Sequence, residues 1–201
     1  MMKRVSTILA LALAAVTLGA CNGGTAAQAD KPPLAGARIG GPFTLTDQDG
    51  KTVRDTDFAG KYRLVYFGYT YCPDVCPTDV QKIGRALRTL EKQDPSYAAQ
   101  IQPIFITIDP DRDKPAQVKQ FVTAFHPRIV GLTGTPEQIA AIAKSYGAYF
   151  KKMAPSEPGG AYLMDHSATI YLMDKEGKPL ALITREMTEP EMIAEIRKWA
   201  K

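Results

Sequence analysis

The stretch YFGYTYCPDVCPTD, residues 66–79, contains two of the three cysteines of this 201-residue chain. Three residues separate Cys72 from Cys76, and a proline follows each cysteine. The apolar run at residues 64–69 is typical of a buried strand, and Pro77 suits a first helical position. Two thiols at a strand-to-helix junction permit three interpretations, which are a structural disulfide, a redox pair and a site for a soft metal ion.

The rest of the chain alternates strand and helix patterns. Further strands are predicted at residues 101–108, 129–132, 169–173 and 180–184, and further helices at residues 118–125, after Thr135 and after Thr188. Residues 43–53 predict an earlier hairpin that turns at Asp49 and Gly50. The order is β-hairpin, βαβαβα and then ββα, which predicts the α/β class. It resembles a thioredoxin-like fold, a mainly parallel but mixed central sheet flanked by helices, with an N-terminal β-hairpin.

The cysteine pair is predicted to be reactive. In open sheets of this kind, sites gather outside the carboxyl ends of the strands. Cys72 and Cys76 are placed at such an end and at a helix N-terminus, where backbone N–H groups and the helix dipole stabilise a thiolate. A thioredoxin-type redox pair has two intervening residues, whereas Pro73, Asp74 and Val75 make three here. This spacing permits a disulfide, and it also permits both sulfurs to face one ion.

Two thiolates do not complete the coordination of most metals, so a third ligand is expected. The chain has two histidines, His126 and His166. In thioredoxin-like folds, the loop before the strand predicted at residues 169–173 lies beside the cysteine pair. We therefore predict that His166 is a ligand, with a surface or capping histidine as the alternative. His126 stands at a helix end before Pro127, where a capping role is predicted instead.

The N-terminus has the features of an export signal. Lys3 and Arg4 precede an apolar run at residues 5–18 that is too short to span a bilayer easily. Residues 18–21, Leu-Gly-Ala-Cys, resemble a bacterial lipobox. We predict a lipoprotein signal peptide at residues 1–20, a lipidated Cys21 with a flexible tether at residues 21–37, and one domain at residues 38–201. The alternative is an ordinary signal peptide that is cut nearby.

The small net charge and the predicted export limit the functions that this chain can have. The net charge is +4, and it falls to about +2 without Lys3 and Arg4, which gives no basis for nucleic-acid binding. An exported protein lies where disulfides persist. The predicted location is the bacterial cell envelope, with the protein anchored to a membrane and facing the periplasm or another extracytoplasmic side.

Three motifs resemble those of the Sco/SenC family, in the same order. The first is Cys72-Pro73-Asp74-Val75-Cys76-Pro77, which follows Tyr66-Phe67-Gly68-Tyr69-Thr70. The second is residues 108–115, IDPDRDKP, which is close to the family's DPxRDTP segment and has Lys114 where threonine is common. The third is Asp165-His166-Ser167, followed by Tyr171, Leu172 and Asp174. The resemblance extends from about residue 38 to residue 200.

This resemblance implies a copper-binding protein that helps to assemble the dinuclear copper site of cytochrome c oxidase. The implied copper ligands are Cys72, Cys76 and His166, and the two cysteines form a disulfide when oxidised. Thiolate and imidazole suit both oxidation states of copper. Copper(II) prefers a fourth donor, such as water or a carboxylate. Asp109 is a candidate for that ligand or for a neighbour of the ligands, and its alternative role is to cap the turn at residues 110–113.

The implied partners are subunit II of cytochrome c oxidase or another copper acceptor, other copper chaperones, and a membrane reached through the lipid anchor.

Two further functions compete with metal delivery. A thiol–disulfide reductase would keep partner cysteines reduced for metal loading, so enzyme activity stays open. A thiol peroxidase would need a hydroxyl and an arginine beside the attacking thiolate. Thr70 precedes Cys72 by two residues, but no arginine is close in sequence, which disfavours the peroxidase. Metal binding requires His166 and disulfide exchange does not. The need for this residue therefore distinguishes metal delivery from thiol–disulfide reduction.

Overall fold

Aromatic and β-branched residues, which favour strands, build the centre of the sheet. In the computed structural model, which describes residues 31–155, 157 and 160–201, seven strands form one sheet and two form another. The strands are β1 Thr44–Asp47, β2 Thr52–Arg54, β3 Tyr62–Gly68, β4 Ile101–Thr107, β5 Val130–Thr133, β6 Phe150–Lys152, β7 Met164–His166, β8 Ile170–Met173 and β9 Pro179–Ile183. The helices are α1 Val75–Gln93, α2 Pro95–Ala98, α3 Pro115–Phe125, α4 Pro136–Tyr146 and α5 Glu189–Trp199, and a 3-10 turn spans Asp55–Phe58.

The larger sheet is mixed, with the order β2-β1-β5-β4-β3-β8-β9. Strands β3, β4 and β5 are parallel, while β1, β2, β8 and β9 join the sheet in antiparallel pairs. Tyr66 of β3 lies between Phe105 of β4 and Ile170 of β8. Every residue of β3 is buried, so the strand that leads into the cysteine pair is held inside the sheet. The predicted α/β class, thioredoxin-like arrangement and N-terminal hairpin are confirmed.

The helices begin and end where the sequence supplies caps. A capping box of Thr135 and Gln138 starts α4, and Gly147 ends it in the left-handed conformation with φ of 64°. Helix α1 begins at Val75, two residues before the predicted first position at Pro77. That prediction was wrong by half a turn, because the chain already turns into the helix after Asp74. Cys76 therefore lies inside the first turn of α1.

Three short elements, β6, β7 and α2, have no counterpart in the sequence prediction. Strands β6 and β7 form a separate antiparallel pair in which Phe150 lies opposite His166. Each has only three residues, and β6 carries two exposed lysines, so neither shows a readable alternation. Helix α2 is a single turn started by Pro95 and by the Asp94 carboxylate, which accepts from the Tyr97 N–H.

Contacts with the domain begin before residue 38. The Leu34 N–H donates to the Leu180 carbonyl of β9 at 3.0 Å, within the segment predicted as tether. The domain therefore includes at least part of residues 31–37. The predicted signal peptide and Cys21 lie outside the described residues. In the part of the chain that is described, no helix combines the length and the apolar character needed to cross a membrane.

Candidate metal centre

Cys72 and Cys76 lie at the junction between β3 and α1. Asp74 occupies the N-cap position of α1, but its side chain makes no capping hydrogen bond. The Cys76 N–H instead donates to the Cys72 Sγ at 3.4 Å. The sulfur of Cys72 thus takes one of the free backbone donors of the first helical turn. Cys76 is buried and Cys72 is partly exposed, and both are free thiols in this structure.

His166 reaches the pair from β7. Its Nε2 lies 3.3 Å from the Cys76 Sγ, and its Nδ1 lies 3.0 Å from the Ser167 carbonyl oxygen. A carbonyl only accepts, so Nδ1 carries the ring proton and Nε2 presents its lone pair to the sulfurs. The prediction that His166 lies beside the cysteines is confirmed, although it stands in a short strand rather than in a loop.

One ligand atom from each of Cys72, Cys76 and His166 lies within 4.8 Å of the other two. This is the only group of three or more potential metal ligands of these types among the described residues. Two sulfurs and an imidazole nitrogen form a soft donor set. The geometry permits one small ion to contact all three atoms.

The two thiols differ in acidity. The pKa of Cys72 lies well below its ordinary value, chiefly because the Cys76 thiol donates a hydrogen bond to it. The nearby His166 and the backbone N–H groups of residues 74 and 76 lower the pKa of Cys72 further. The pKa of Cys76 is raised, first by this role as donor to Cys72 and then by burial. The pair therefore combines an accessible thiolate with a buried thiol, which suits both metal binding and thiol exchange.

Gly68, the last residue of β3, makes room for Cys76. A Cβ atom at this position would lie 2.8 Å from Tyr66 Cε1, 3.0 Å from Cys76 Sγ and 3.1 Å from Phe105 Cε2. The sequence analysis did not identify Gly68. Its position on the same strand face as Tyr66 was the available signal, because alternate residues of a strand share a face.

A buried carboxylate holds the loop before Cys72. Asp113, with no exposed surface, accepts from the Thr70 N–H at 2.9 Å, the Thr70 hydroxyl at 2.6 Å and the Thr107 hydroxyl at 2.6 Å. Burial raises the pKa of Asp113, while these donors oppose the shift. Asp113 ties the loop after β4 to the residue two positions before Cys72. Its role was also missed, although it lies in the second motif.

Asp109 does not join the three converging residues. Its Oδ2 accepts from Arg112 Nε at 2.5 Å, and its Oδ1 accepts from the Tyr162 hydroxyl at 2.8 Å. Its backbone carbonyl accepts from the N–H groups of Arg112 and Asp113, which fits the turn role considered for this residue. The Arg112 guanidinium also lies 5.8 Å from the ring centre of Tyr69, so Asp109 reaches the site only through intermediate residues.

His126 caps α3, as predicted. It is buried at the C-terminal end of the helix, where its Nε2 lies 3.3 Å from Glu91 and its Nδ1 accepts from the Arg128 N–H at 3.2 Å. Burial lowers the pKa of His126. Both ring nitrogens are engaged with the protein, so this imidazole serves the structure.

The chain matches known proteins along its whole described domain. The SCO1/SenC family model matches residues 31–201. Protein SenC of Rhodobacter capsulatus is 45% identical over 80% of this chain and 70% of that protein. The mitochondrial protein SCO1 of Saccharomyces cerevisiae is 40% identical over 81% of this chain and 54% of that protein.

Solved structures agree with these relatives. The structure described as Bradyrhizobium japonicum ScoI with copper bound is 43% identical, with a TM-score of 0.71 over 80% of this chain and 99% of that chain. Yeast Sco1 with copper bound is 40% identical, with a TM-score of 0.72 over 80% of this chain and 87% of that chain. The chain spans about half the length of the first curated relatives it matches. By the extent of these matches, this chain belongs to the SCO1/SenC family.

Proposed function

We propose that this chain binds copper through Cys72, Cys76 and His166 and passes it to the dinuclear copper site of cytochrome c oxidase. The carrying observation is the approach of their three ligand atoms to within 4.8 Å of one another. Family membership and the copper-bound structures of relatives support copper as the cargo.

The donor set fits this cargo. Two thiolates and one imidazole suit copper(I), which accepts low coordination numbers and soft ligands. Zinc also binds two cysteines and a histidine with a fourth ligand. The partial exposure of Cys72 and His166 leaves the ion accessible from one side. A carrier needs this access, because its cargo must be transferred to another protein.

Asp109 is assigned a supporting role. Its carboxylate is committed to Arg112 and Tyr162, so direct ligation would require it to give up an ion pair and a hydrogen bond. Water or a donor from the partner protein therefore supplies the fourth position of copper(II).

A thiol–disulfide reductase is the second candidate. It is favoured by the unequal pair, in which Cys72 is the accessible sulfur of low pKa and Cys76 is the buried partner. A disulfide between them, formed on oxidation, would remove both sulfurs from the metal. One related structure, at 26% identity, is described as revealing a disulfide switch in a Sco family protein. Both functions use the same sulfurs and are compatible.

The location and partners complete the proposal. Cys21 receives the lipid after removal of residues 1–20, and the segment that follows tethers the domain at a bacterial membrane, facing the periplasm or another extracytoplasmic side. Subunit II of cytochrome c oxidase or another acceptor takes the copper, and another copper chaperone supplies it.

Anaerobic titration of the reduced protein with copper(I) tests the proposal. We expect one copper per chain by mass analysis, and a coloured copper(II) form that arises from thiolate-to-metal charge transfer. Cys72→Ala and Cys76→Ala should each abolish the colour and the tight binding. Retention of stoichiometric tight binding by either variant would refute the site. Competition with zinc tests metal preference, and copper(I) should displace zinc.

A further inference from the structure

Two buried tyrosine rings meet the imidazole of His166 almost at right angles. The Tyr69 and His166 ring centres lie 5.8 Å apart with an interplanar angle of 87°, and those of Tyr66 and His166 lie 6.5 Å apart at 84°. Edge-to-face geometry of this kind is a favourable arrangement for aromatic rings. His166 itself is only partly buried, so these contacts fix a side chain that would otherwise have freedom to turn.

Tyr66 is anchored at its hydroxyl, and Tyr69 is held by burial. The Tyr66 hydroxyl donates to Oδ2 of Asp79, a buried residue of α1, at 3.0 Å. Tyr69 follows β3 directly and is buried, and its ring also lies 5.8 Å from the Arg112 guanidinium. The two rings therefore connect β3, α1 and β7 at the point where the three ligand atoms meet.

We propose that Tyr66 and Tyr69 are positioning residues for His166, holding its ring so that Nε2 faces the two sulfurs before any metal arrives. The bond from Nδ1 to the Ser167 carbonyl selects the tautomer, and the tyrosine rings restrict rotation of the imidazole. This inference rests on the proposed function insofar as His166 is a copper ligand. Removal of a group that orients a metal ligand costs about 10–100-fold in metal affinity.

Two substitutions of Tyr69 distinguish the role of its ring from the role of its hydroxyl group. Tyr69→Phe keeps the ring against His166, and we expect its copper(I) affinity, measured by competition with a chelator, to stay close to that of the wild type. Tyr69→Leu removes the ring, and we expect a loss of about 10–100-fold. The same Tyr69→Leu change made in a His166→Ala chain should cause no further loss, because its effect acts through the imidazole. Equal losses in the two backgrounds would overturn the proposal.

A second readout needs no copper. Nitrogen NMR of the reduced metal-free protein should show His166 in one tautomer, protonated at Nδ1, in the wild type and in Tyr69→Phe. Tyr69→Leu should shift these resonances towards an average of both tautomers. If the protein binds no copper but the NMR result holds, the proposed function fails and the positioning role stands. Unchanged His166 resonances in Tyr69→Leu would refute the positioning role.

Tyr171→Leu is the matched control. Tyr171 is also buried and meets Phe67 edge-on at 6.0 Å and 88° on the same sheet, and its ring contacts are with Phe67 and Tyr146 rather than with His166. This variant should leave copper affinity and the His166 resonances unchanged, and an effect as large as that of Tyr69→Leu would overturn the proposal. If Tyr69→Leu does not fold, ring relaxation in the wild type decides the question. An imidazole as rigid as the surrounding backbone supports the proposal, and a freely rotating one contradicts it.

Discussion

The Sγ atom of Cys76 lies 3.3 Å from Nε2 of His166, although 90 positions separate the two residues in the chain. The contact exists because β3 and β8 are antiparallel neighbours in the sheet. The end of β3 therefore lies next to the start of β8, and β7 delivers His166 immediately before that start. The contact between Nδ1 and the Ser167 carbonyl orients the ring, so that Nε2 is directed at the Cys76 sulfur.

Cys72 is expected to alkylate much faster than Cys76. Its pKa is lowered chiefly by the Cys76 thiol, so its thiolate is already formed at pH 6 and its rate should be flat from pH 6 to pH 9. An ordinary thiol would titrate near about 8.5. Cys76→Ala removes the main cause of the shift and should restore a rising rate. Mass spectrometry of iodoacetamide-treated protein measures the alkylation rate of Cys72 in the wild type and in Cys76→Ala. A wild-type midpoint near that of a free thiol would contradict the lowered pKa of Cys72.

Substitution of the two histidines should have separate effects. His166→Ala should weaken copper binding and change the copper(II) spectrum, while the cysteines can still form a disulfide. His126→Ala should leave binding intact but lower the free energy of unfolding by about 1–3 kcal/mol, because buried hydrogen bonds to Glu91 and Arg128 are lost. Titration and urea unfolding are the measurements. If His166→Ala keeps both affinity and spectrum, the three-ligand site fails and the reductase becomes the better account.

Gly68→Ala tests the space around Cys76. The added methyl group would meet Tyr66, Cys76 Sγ and Phe105 at 2.8–3.1 Å, so we expect a loss of about 1–3 kcal/mol in unfolding free energy and weaker copper binding. Gly134→Ala is the control, since its methyl group meets Gln138 Oε1 at 2.7 Å and Leu45 Cδ2 at 3.0 Å, and none of its three nearest atoms belongs to a cysteine. Gly134→Ala should leave copper affinity unchanged. Wild-type affinity in Gly68→Ala would show that the site tolerates the methyl group.

Asp79→Asn should change the pH dependence of stability. Burial raises the pKa of Asp79, so the stability that its neutral form supports is fully present below the unfolded pKa of about 3.9. That contribution is lost as the pH rises through the folded pKa. Asparagine stays neutral and can still accept from Tyr66. The unfolding free energy of the variant should therefore increase relative to that of the wild type as the pH rises from 4 to 7.

Urea unfolding of the reduced, metal-free protein measures this difference. Asp94→Asn provides a control of opposite sign. Hydrogen bonds from the Tyr97 N–H and the Ser96 hydroxyl lower the pKa of Asp94. The unfolding free energy of Asp94→Asn should therefore decrease relative to that of the wild type as the pH rises. A difference for Asp79→Asn that does not vary with pH would show that the buried carboxyl does not titrate in this range.

Cys21→Ser tests membrane attachment. Labelled fatty acid should enter the wild-type protein in bacterial cells and should be absent from the variant, because the thiol of Cys21 is the predicted acceptor. Fractionation should then find the variant released from the membrane. Equal labelling of both proteins, or of neither, would exclude Cys21 as the lipid site.

The sequence by itself determined the elements and their order. Apolar periodicity located the long strands and α3 to α5, and Thr135 with Gly147 marked the ends of α4, because these signals depend only on neighbours along the chain. The reactive pair could also be predicted from the sequence, since Cys72 and Cys76 lie on one local turn. With only two histidines in the chain, the expected place of the loop before β8 favoured His166 as the third member, and the resemblance implied the same residue.

Only the tertiary structure decided how these groups act on one another. The unequal acidity of Cys72 and Cys76, the room left by Gly68 and the three donors on Asp113 all depend on atoms that are distant in sequence and adjacent in space. Tyr66 and Tyr69 read as ordinary strand residues, and only the approach of β7 places their rings against His166. Asp109 had two roles open in the sequence, and the structure directs its carboxylate to Arg112 and Tyr162. Contacts of this kind are set by sheet order and by packing, which a local pattern does not encode.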